Sequence, residues 1–208
     1  MPGRASNIAR AAVPSVAVAV GLYAATSAWA AILLYHAVIS VMLTISGWGE
    51  PMRLLRSGWR GWGVWLGAVA GVLAGVMIYA LWPCIDATPA GLSGAVERYG
   101  LHGRSWIVFA IYYSTVHPLL EELFWRGGFM SRSRYPSWRD GAFAAYHVIV
   151  VRLFVGPVWV AAIFAVLLVS AWLWRVAVLR FGGLGVPLAS HVVADAGIVV
   201  AVTLLIQN

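Results

Sequence analysis

The chain contains no lysine and one cysteine, and only 10% of its 208 residues are charged. Soluble domains carry about a quarter charged residues, so this shortage excludes an ordinary soluble fold. The lone Cys84 excludes an internal disulfide and any cysteine-rich metal centre. It falls at a predicted membrane boundary, where an inert thiol is expected. Without lysine, all 14 basic residues are arginine, against 7 acids. No basic stretch forms a soluble module, which excludes nucleic acid as a partner. The net charge of +7 is that of a membrane protein holding arginine in its cytoplasmic loops. What the chain has in quantity is apolar surface, at 62% hydrophobic residues. Its wealth of alanine, glycine, arginine and tryptophan fits a GC-rich, bacterial coding sequence.

A membrane span needs roughly 20 apolar residues, and the chain reads as an all-α, polytopic transmembrane bundle with six or seven spans in one domain, 1–208. Ala11 to Ser46 is uncharged throughout and forms either one long tilted helix or a tight hairpin. Its start imitates a signal peptide, with Arg4 and Arg10, an apolar core and Ala28-Trp29-Ala30; the apolar run continues past Ala30, so the segment is expected to stay. Further spans are expected at Gly61–Trp82, Ser105–Met130, Val158–Val178 and Val186–Ile206, with a shorter apolar helix at Asp140–Val155 that Gly156-Pro157 ends. Trp62 and Trp65 at one end of the second region, and Tyr79 and Trp82 at the other, match aromatic belts. Gly47–Arg60 reads as a polar loop, and Cys84–Arg104 as a loop holding a short surface helix around Leu92–Tyr99.

With a hairpin first, one face collects Arg4, Arg10, Arg53, Arg56, Arg60, Arg132, Arg134, Arg139, Arg175 and Arg180, and the other only Arg98, Arg104 and Arg152. The rich face is assigned to the cytoplasm. A single long helix gives a less lopsided split, so the hairpin fits better. The expected location is the cell inner membrane, as a multi-pass protein in contact with the lipid bilayer.

Ionisable groups inside spans are rare, each costing at least ~2.5 kcal/mol near the centre on insertion scales. Away from span ends they are His36, His117, Glu121, Glu122, Arg126, His147, His191 and Asp195. Glu121 and Glu122 close one helix, while His147 and His191 stand near the starts of two others, all toward the arginine-rich face. Three helices thus bring carboxylates and imidazoles to a similar depth. Glu122 and Arg126, Phe143 and His147, and His191 and Asp195 are each four apart, on one helix face. Glu121 and Glu122 lie about 100° apart around a helix, so different roles are expected. Glu122 can pair with Arg126, leaving Glu121 to face His147 and His191. His117, one turn before Glu121, is placed to tune it or to cap a polar cavity. Pro118 is placed to bend the helix. His36, Trp125 and Tyr146 read as interface or packing residues.

The stretch "EELFWR", Glu121 to Arg126, resembles the glutamate-glutamate-x-x-x-arginine signature of the CPBP family. These are the CAAX-protease and bacteriocin-processing, or Abi, proteins, glutamic-type intramembrane proteases. "FAAYH", Phe143 to His147, resembles the family's second motif, and "HVVAD", His191 to Asp195, its third, in family order. The resemblance covers about half the chain, from Ile107 on. It implies a catalytic core at about 105–208, with no signature in the helical region 1–104. It further implies that Glu121, assisted by His147, activates water, and that His191 and Asp195 hold the oxyanion. Glu122, Arg126 and Phe143 would support them, without a metal or other cofactor, on a membrane-associated protein or peptide. An ionised aspartate only accepts hydrogen bonds, so Asp195 is expected to orient His191, which then donates.

Two other readings use the same residues. Glu121, His147, His191 and Asp195 could fill a zinc sphere with an open position for water, although the His-Glu-x-x-His pattern is absent. A transporter, or a non-catalytic scaffold such as an immunity protein, could use intramembrane acids and histidines as a proton relay. Biological role, cleavage site and oligomeric state are not written in the sequence.

Overall fold

A computed structural model describes residues 4–59, 61–85, 87 and 91–207. Among them are nine α-helices: α1 (Arg4–Ala19), α2 (Ala28–Ser46), α3 (Gly49–Leu55), α4 (Gly61–Leu81), α5 (Gly91–Arg98), α6 (Gly103–Glu121), α7 (Trp138–Val151), α8 (Pro157–Phe181) and α9 (Gly185–Gln207). The only β feature among the described residues is a single bridge between Ala87 and Val155. The fold is an all-helical membrane bundle. Five segments are long and apolar enough to cross a membrane: Asn7–Ala24, Ala28–Ser46, Gly61–Cys84, Pro157–Phe181 and Gly185–Gln207. The sequence calls for six or seven. The difference lies in α6, whose apolar face is interrupted by the polar cluster, and in α7, which is 14 residues long.

The first apolar run is a hairpin. A wide π turn, Val20–Ala24, follows α1, and Thr26 takes a positive φ of 48° at the reversal. Ser27 then caps α2 by accepting from the Ala30 amide. Gly21 makes the tight return possible, because a Cβ there would lie 2.2 Å from the Ala31 backbone.

The hairpin fixes the direction of every later helix. At one end, Arg10 reaches Ser46 Oγ at 2.8 Å, the Leu184 amide donates to Leu54 O at 2.8 Å and the Gly185 amide to Ser57 O at 3.1 Å. At the other, the Ala28 amide donates to Tyr99 O at 3.0 Å and Tyr23 Oη to Ile149 O at 2.8 Å. The first end carries Arg10, Arg53, Arg56, Arg132, Arg134, Arg139 and Arg180, and the second Arg98, Arg104 and Arg152, as the hairpin reading expects. Arg60, residue 86 and residues 88–90 of the expected loops lie outside the described residues, as does the side chain of Arg4. Arg175 departs from expectation. It is not a surface arginine of that face but is 1% exposed. Its Nη2 donates to Asp140 Oδ2 at 2.8 Å and to Tyr135 O at 2.7 Å, and its Nη1 donates to Ser133 O. Asp140 is also the N3 residue of a capping box closed with Ser137. One buried ion pair therefore ties α8 to the start of α7 and to the 131–137 loop. The polar loop expected at Gly47–Arg60 contains a helix, α3, whose buried Pro51 packs beneath Gly127.

α4 and α9 pack backbone to backbone. A Cβ on Gly71 would lie 2.6 Å from Ser190 O and 2.8 Å from the Ala194 amide, and one on Gly75 would lie 2.6 Å from Gly197. Small residues at such crossings let membrane helices approach closely. Here the approach fixes the height of α9, which carries His191 and Asp195. The other face of α4 points outward, with Trp62 and Trp65 67% and 74% exposed, as an aromatic belt requires.

Candidate active site

The acids sit where α6 changes character. Pro118 cannot donate a backbone hydrogen bond, and from Glu122 to Gly128 the helix continues as a π-helix. Such wide turns recur at functional sites. Counted at ~1.5 Å per residue, Glu121, His191 and His147 lie roughly 9–14 Å in from the arginine-rich ends of their helices. All three therefore lie several residues in from those ends.

Glu121 is fully buried. Its Oε1 accepts from two phenols, Tyr35 of α2 and Tyr146 of α7. Trp125 Nε1 donates in turn to Tyr35 Oη at 2.9 Å. Its Oε2 makes no hydrogen bond within the described protein and faces two imidazoles, His117 Nε2 and His191 Nε2, each at 3.7 Å. At that separation neither contact is a direct hydrogen bond. The two phenols thus fix the carboxylate by one oxygen and leave the other directed at the two imidazoles.

Glu122, also fully buried, does more than meet Arg126. Its Oε1 accepts from Arg126 Nη1 at 3.0 Å and from His191 Nδ1 at 2.9 Å. His191 therefore touches both acids, Glu122 through one ring nitrogen and Glu121 through the other. Its ring stacks on Trp174 at 4.5 Å, and Trp174 Nε1 is held by Ser190 Oγ at 3.0 Å. Asp195 Oδ2 lies 3.6 Å from His191 Nε2, beyond a direct hydrogen bond, and has no partner of its own in the described protein. The residue that orients His191 by a hydrogen bond is Glu122, in the place where Asp195 was expected.

Arg126 lies over the Phe143 ring at 4.0 Å and near Trp174 at 5.0 Å, contacts through which an aromatic face attracts a cation. Phe143 is thus a floor for Arg126, and its ring is 4.6 Å from that of His147. His147 is half-buried, with Nδ1 2.8 Å from Phe143 O. A carbonyl only accepts, so Nδ1 carries the hydrogen and Nε2 of the neutral ring is left as an acceptor. Its ring lies 3.9 Å from that of Tyr146, which holds Glu121. All eight expected site residues therefore gather around Glu121, Glu122 and His191.

Four further residues belong to this cluster. Tyr35 and Tyr146 hold Glu121, and Trp125 holds Tyr35. His36 Nε2 is 3.0 Å from His117 Nδ1, and its Nδ1 is 2.7 Å from Tyr112 Oη. Tyr146 lies inside the "FAAYH" motif but matches no named position of it, and an uncharged tyrosine in an apolar run carries no signal. His36 was visible as an ionisable group in a span. Among the described residues, no group of three or more His, Cys, Asp or Glu side chains is arranged to hold a metal ion.

Residues 103–197, a little under half the chain, match the family model for type II CAAX prenyl endopeptidase, Rce1-like. No curated protein and no solved structure matches the chain. The family match spans all three motifs and begins after Tyr35 and His36, so the N-terminal hairpin adds two cluster residues from outside it. Over residues 103–197, the chain is similar to the CAAX-protease family that its three motifs resemble.

Proposed function

We propose that the protein is a glutamic-type intramembrane endopeptidase of a bacterial inner membrane. It hydrolyses a peptide bond of a membrane-associated protein or peptide near the cytoplasmic leaflet. The observation that carries this reading is Glu121, buried, fixed by two phenols at Oε1 and directed by Oε2 at two imidazoles. Peptide hydrolysis needs a base for water and donors for an oxyanion. Glu121 Oε2 takes a proton from water, which the free Nε2 of His147 helps to orient. The hydroxyl oxygen attacks the peptide carbonyl. His191 gives Nδ1–H to Glu122; its Nε2–H, present in the imidazolium form, faces the oxyanion. The surrounding carboxylates, Asp195 among them, compensate the imidazolium charge. Collapse of the intermediate breaks the C–N bond, and the proton on Glu121 passes to the leaving amine. Every proton in this scheme moves between groups of the chain, water and substrate, so no metal or cofactor is required. In the bilayer, α6 with its π continuation, roughly 35–40 Å of helix, forms a sixth span, and α7 enters from the cytoplasmic side.

The test compares membrane peptides in cells carrying the wild-type protein and Glu121→Gln at equal abundance. The reading expects peptides with a new terminus only with the wild-type protein. Identical peptide sets from both would end it.

A further inference from the structure

Beside the acids, two hydrogen bonds join Tyr112, His36 and His117 in a row whose end faces Glu121. The bonds are 2.7 Å between Tyr112 Oη and His36 Nδ1 and 3.0 Å between His36 Nε2 and His117 Nδ1, and His117 Nε2 then faces Glu121 Oε2 at 3.7 Å, an electrostatic contact beyond a direct hydrogen bond. Both histidines are buried, at 4% and 5% exposure, and Tyr112 is half-buried. Resting on the hydrolytic reading above, we propose that Tyr112, His36 and His117 are positioning residues, forming a hydrogen-bond chain of fixed direction that presents a His117 Nε2–H donor to Glu121 Oε2.

The direction follows from counting hydrogens. A neutral imidazole has one N–H and one acceptor nitrogen. Glu121 Oε1 already accepts from two hydroxyls, so the carboxylate meets His117 through Oε2. An ionised Oε2 needs a donor opposite, which places the His117 hydrogen on Nε2. His117 Nδ1 is then an acceptor and takes Nε2–H from His36. His36 Nδ1 is in turn an acceptor and takes the Tyr112 hydroxyl hydrogen. Each of the three hydrogens is used once. In the reverse order, two lone pairs would oppose each other between His117 and Glu121, and buried polar groups in conflict are costly. His36 thus selects the His117 tautomer, and α2 acts on the base twice, through Tyr35 at Oε1 and through His36 and His117 at Oε2. His36 lies outside the segment that matches the family, so this arrangement is written in the N-terminal hairpin of this chain.

The test has one arm that needs no turnover. Nitrogen NMR of histidine-labelled protein in nanodiscs reads the His117 tautomer directly. We expect hydrogen on Nε2 in the wild type, a mixture of tautomers in His36→Leu, and recovery in His36→Gln, whose side-chain amide can donate where Nε2 does. The second arm measures cleavage, in proteoliposomes, of an internally quenched peptide built on a site found in the membrane-peptide comparison. His36→Leu should lower kcat roughly tenfold, the size of effect that loss of the one hydrogen bond orienting His117 supports, with KM unchanged. His36→Gln should recover most of it, and Tyr112→Phe should lie between. Hydrogen on His117 Nδ1 in the wild type, or an unchanged kcat in His36→Leu, would overturn the proposal. A wild-type protein with the expected tautomer and no cleavage of any membrane peptide would instead count against the hydrolytic reading alone.

Discussion

Gly71 lies on α4, away from the acids, yet the packing makes it a sensitive control of the site. Replacing it by alanine places a Cβ 2.6 Å from Ser190 O, 2.8 Å from the Ala194 amide and 3.0 Å from Val193 Cβ. Two of these atoms are backbone and cannot rotate away. Restoring ordinary contact requires α9 to move by roughly 0.6–0.8 Å, because packed interiors have no slack to absorb the methyl. Ser190 and Ala194 adjoin His191 and Asp195, so both move with them. The 2.9 Å bond from His191 Nδ1 to Glu122 Oε1 would stretch beyond hydrogen-bonding range. Overpacking of this kind costs about 1–3 kcal/mol of stability, and a misplacement approaching 1 Å can cost ~100-fold in rate. Gly71→Ala should therefore unfold somewhat earlier on heating and lose between tenfold and a hundredfold in kcat (roughly, from the same geometric argument). Gly61→Ala, whose Cβ would meet nothing within 4 Å, serves as the control and should match the wild type. Proteoliposome cleavage of a quenched peptide built on a site found in the membrane-peptide comparison, with thermal unfolding in detergent, measures both. Wild-type kcat in Gly71→Ala would refute the idea that α4 sets the height of His191.

Other consequences are as direct. Arg175→Leu leaves Asp140 without its buried cation, and breaking such a pair costs about 3–5 kcal/mol; thermal unfolding should show a large drop that Arg180→Leu, on the exposed face, does not. Glu122→Gln keeps shape but weakens the grip on both Arg126 and His191, and should lower kcat at least tenfold, as loss of a charge-assisted hydrogen bond implies; kinetics in proteoliposomes decide this. Treating purified protein with a chelator should leave cleavage unchanged. Activity that is lost on chelation and restored by Zn²⁺ would replace the metal-free scheme with one in which Glu121, His147, His191 and Asp195 are ligands.

The sequence carried the ionisable members of the cluster but not its wiring. Period and charge placed Glu121, His147 and His191 near one membrane face, and arginine asymmetry favoured the hairpin that the structure has. Both rest on one-dimensional properties, span length and loop charge. The contacts of Tyr35, Tyr146 and His36 depend on how α2 rotates against α6 and α7. In helices that are apolar on every side, no polar face records that rotation. Arg175 was misread for a related reason: it falls near a span end, where arginine is ordinary, and only the return of the 131–137 loop over it shows that it is buried. The Glu122–His191 bond was hidden because spacing compares residues within one helix, and this bond joins two helices.

The central claim is that Glu121 is the base that activates water. Its most direct measurement is the cleavage rate of a quenched peptide, built on a site found in the membrane-peptide comparison, by purified Glu121→Gln beside the wild type, in proteoliposomes with matched thermal unfolding. Loss of a general base costs typically ~100-fold to 10,000-fold, so the account predicts a fall of at least about a hundredfold with the fold intact. A folded Glu121→Gln protein that cleaves at the wild-type rate would contradict it.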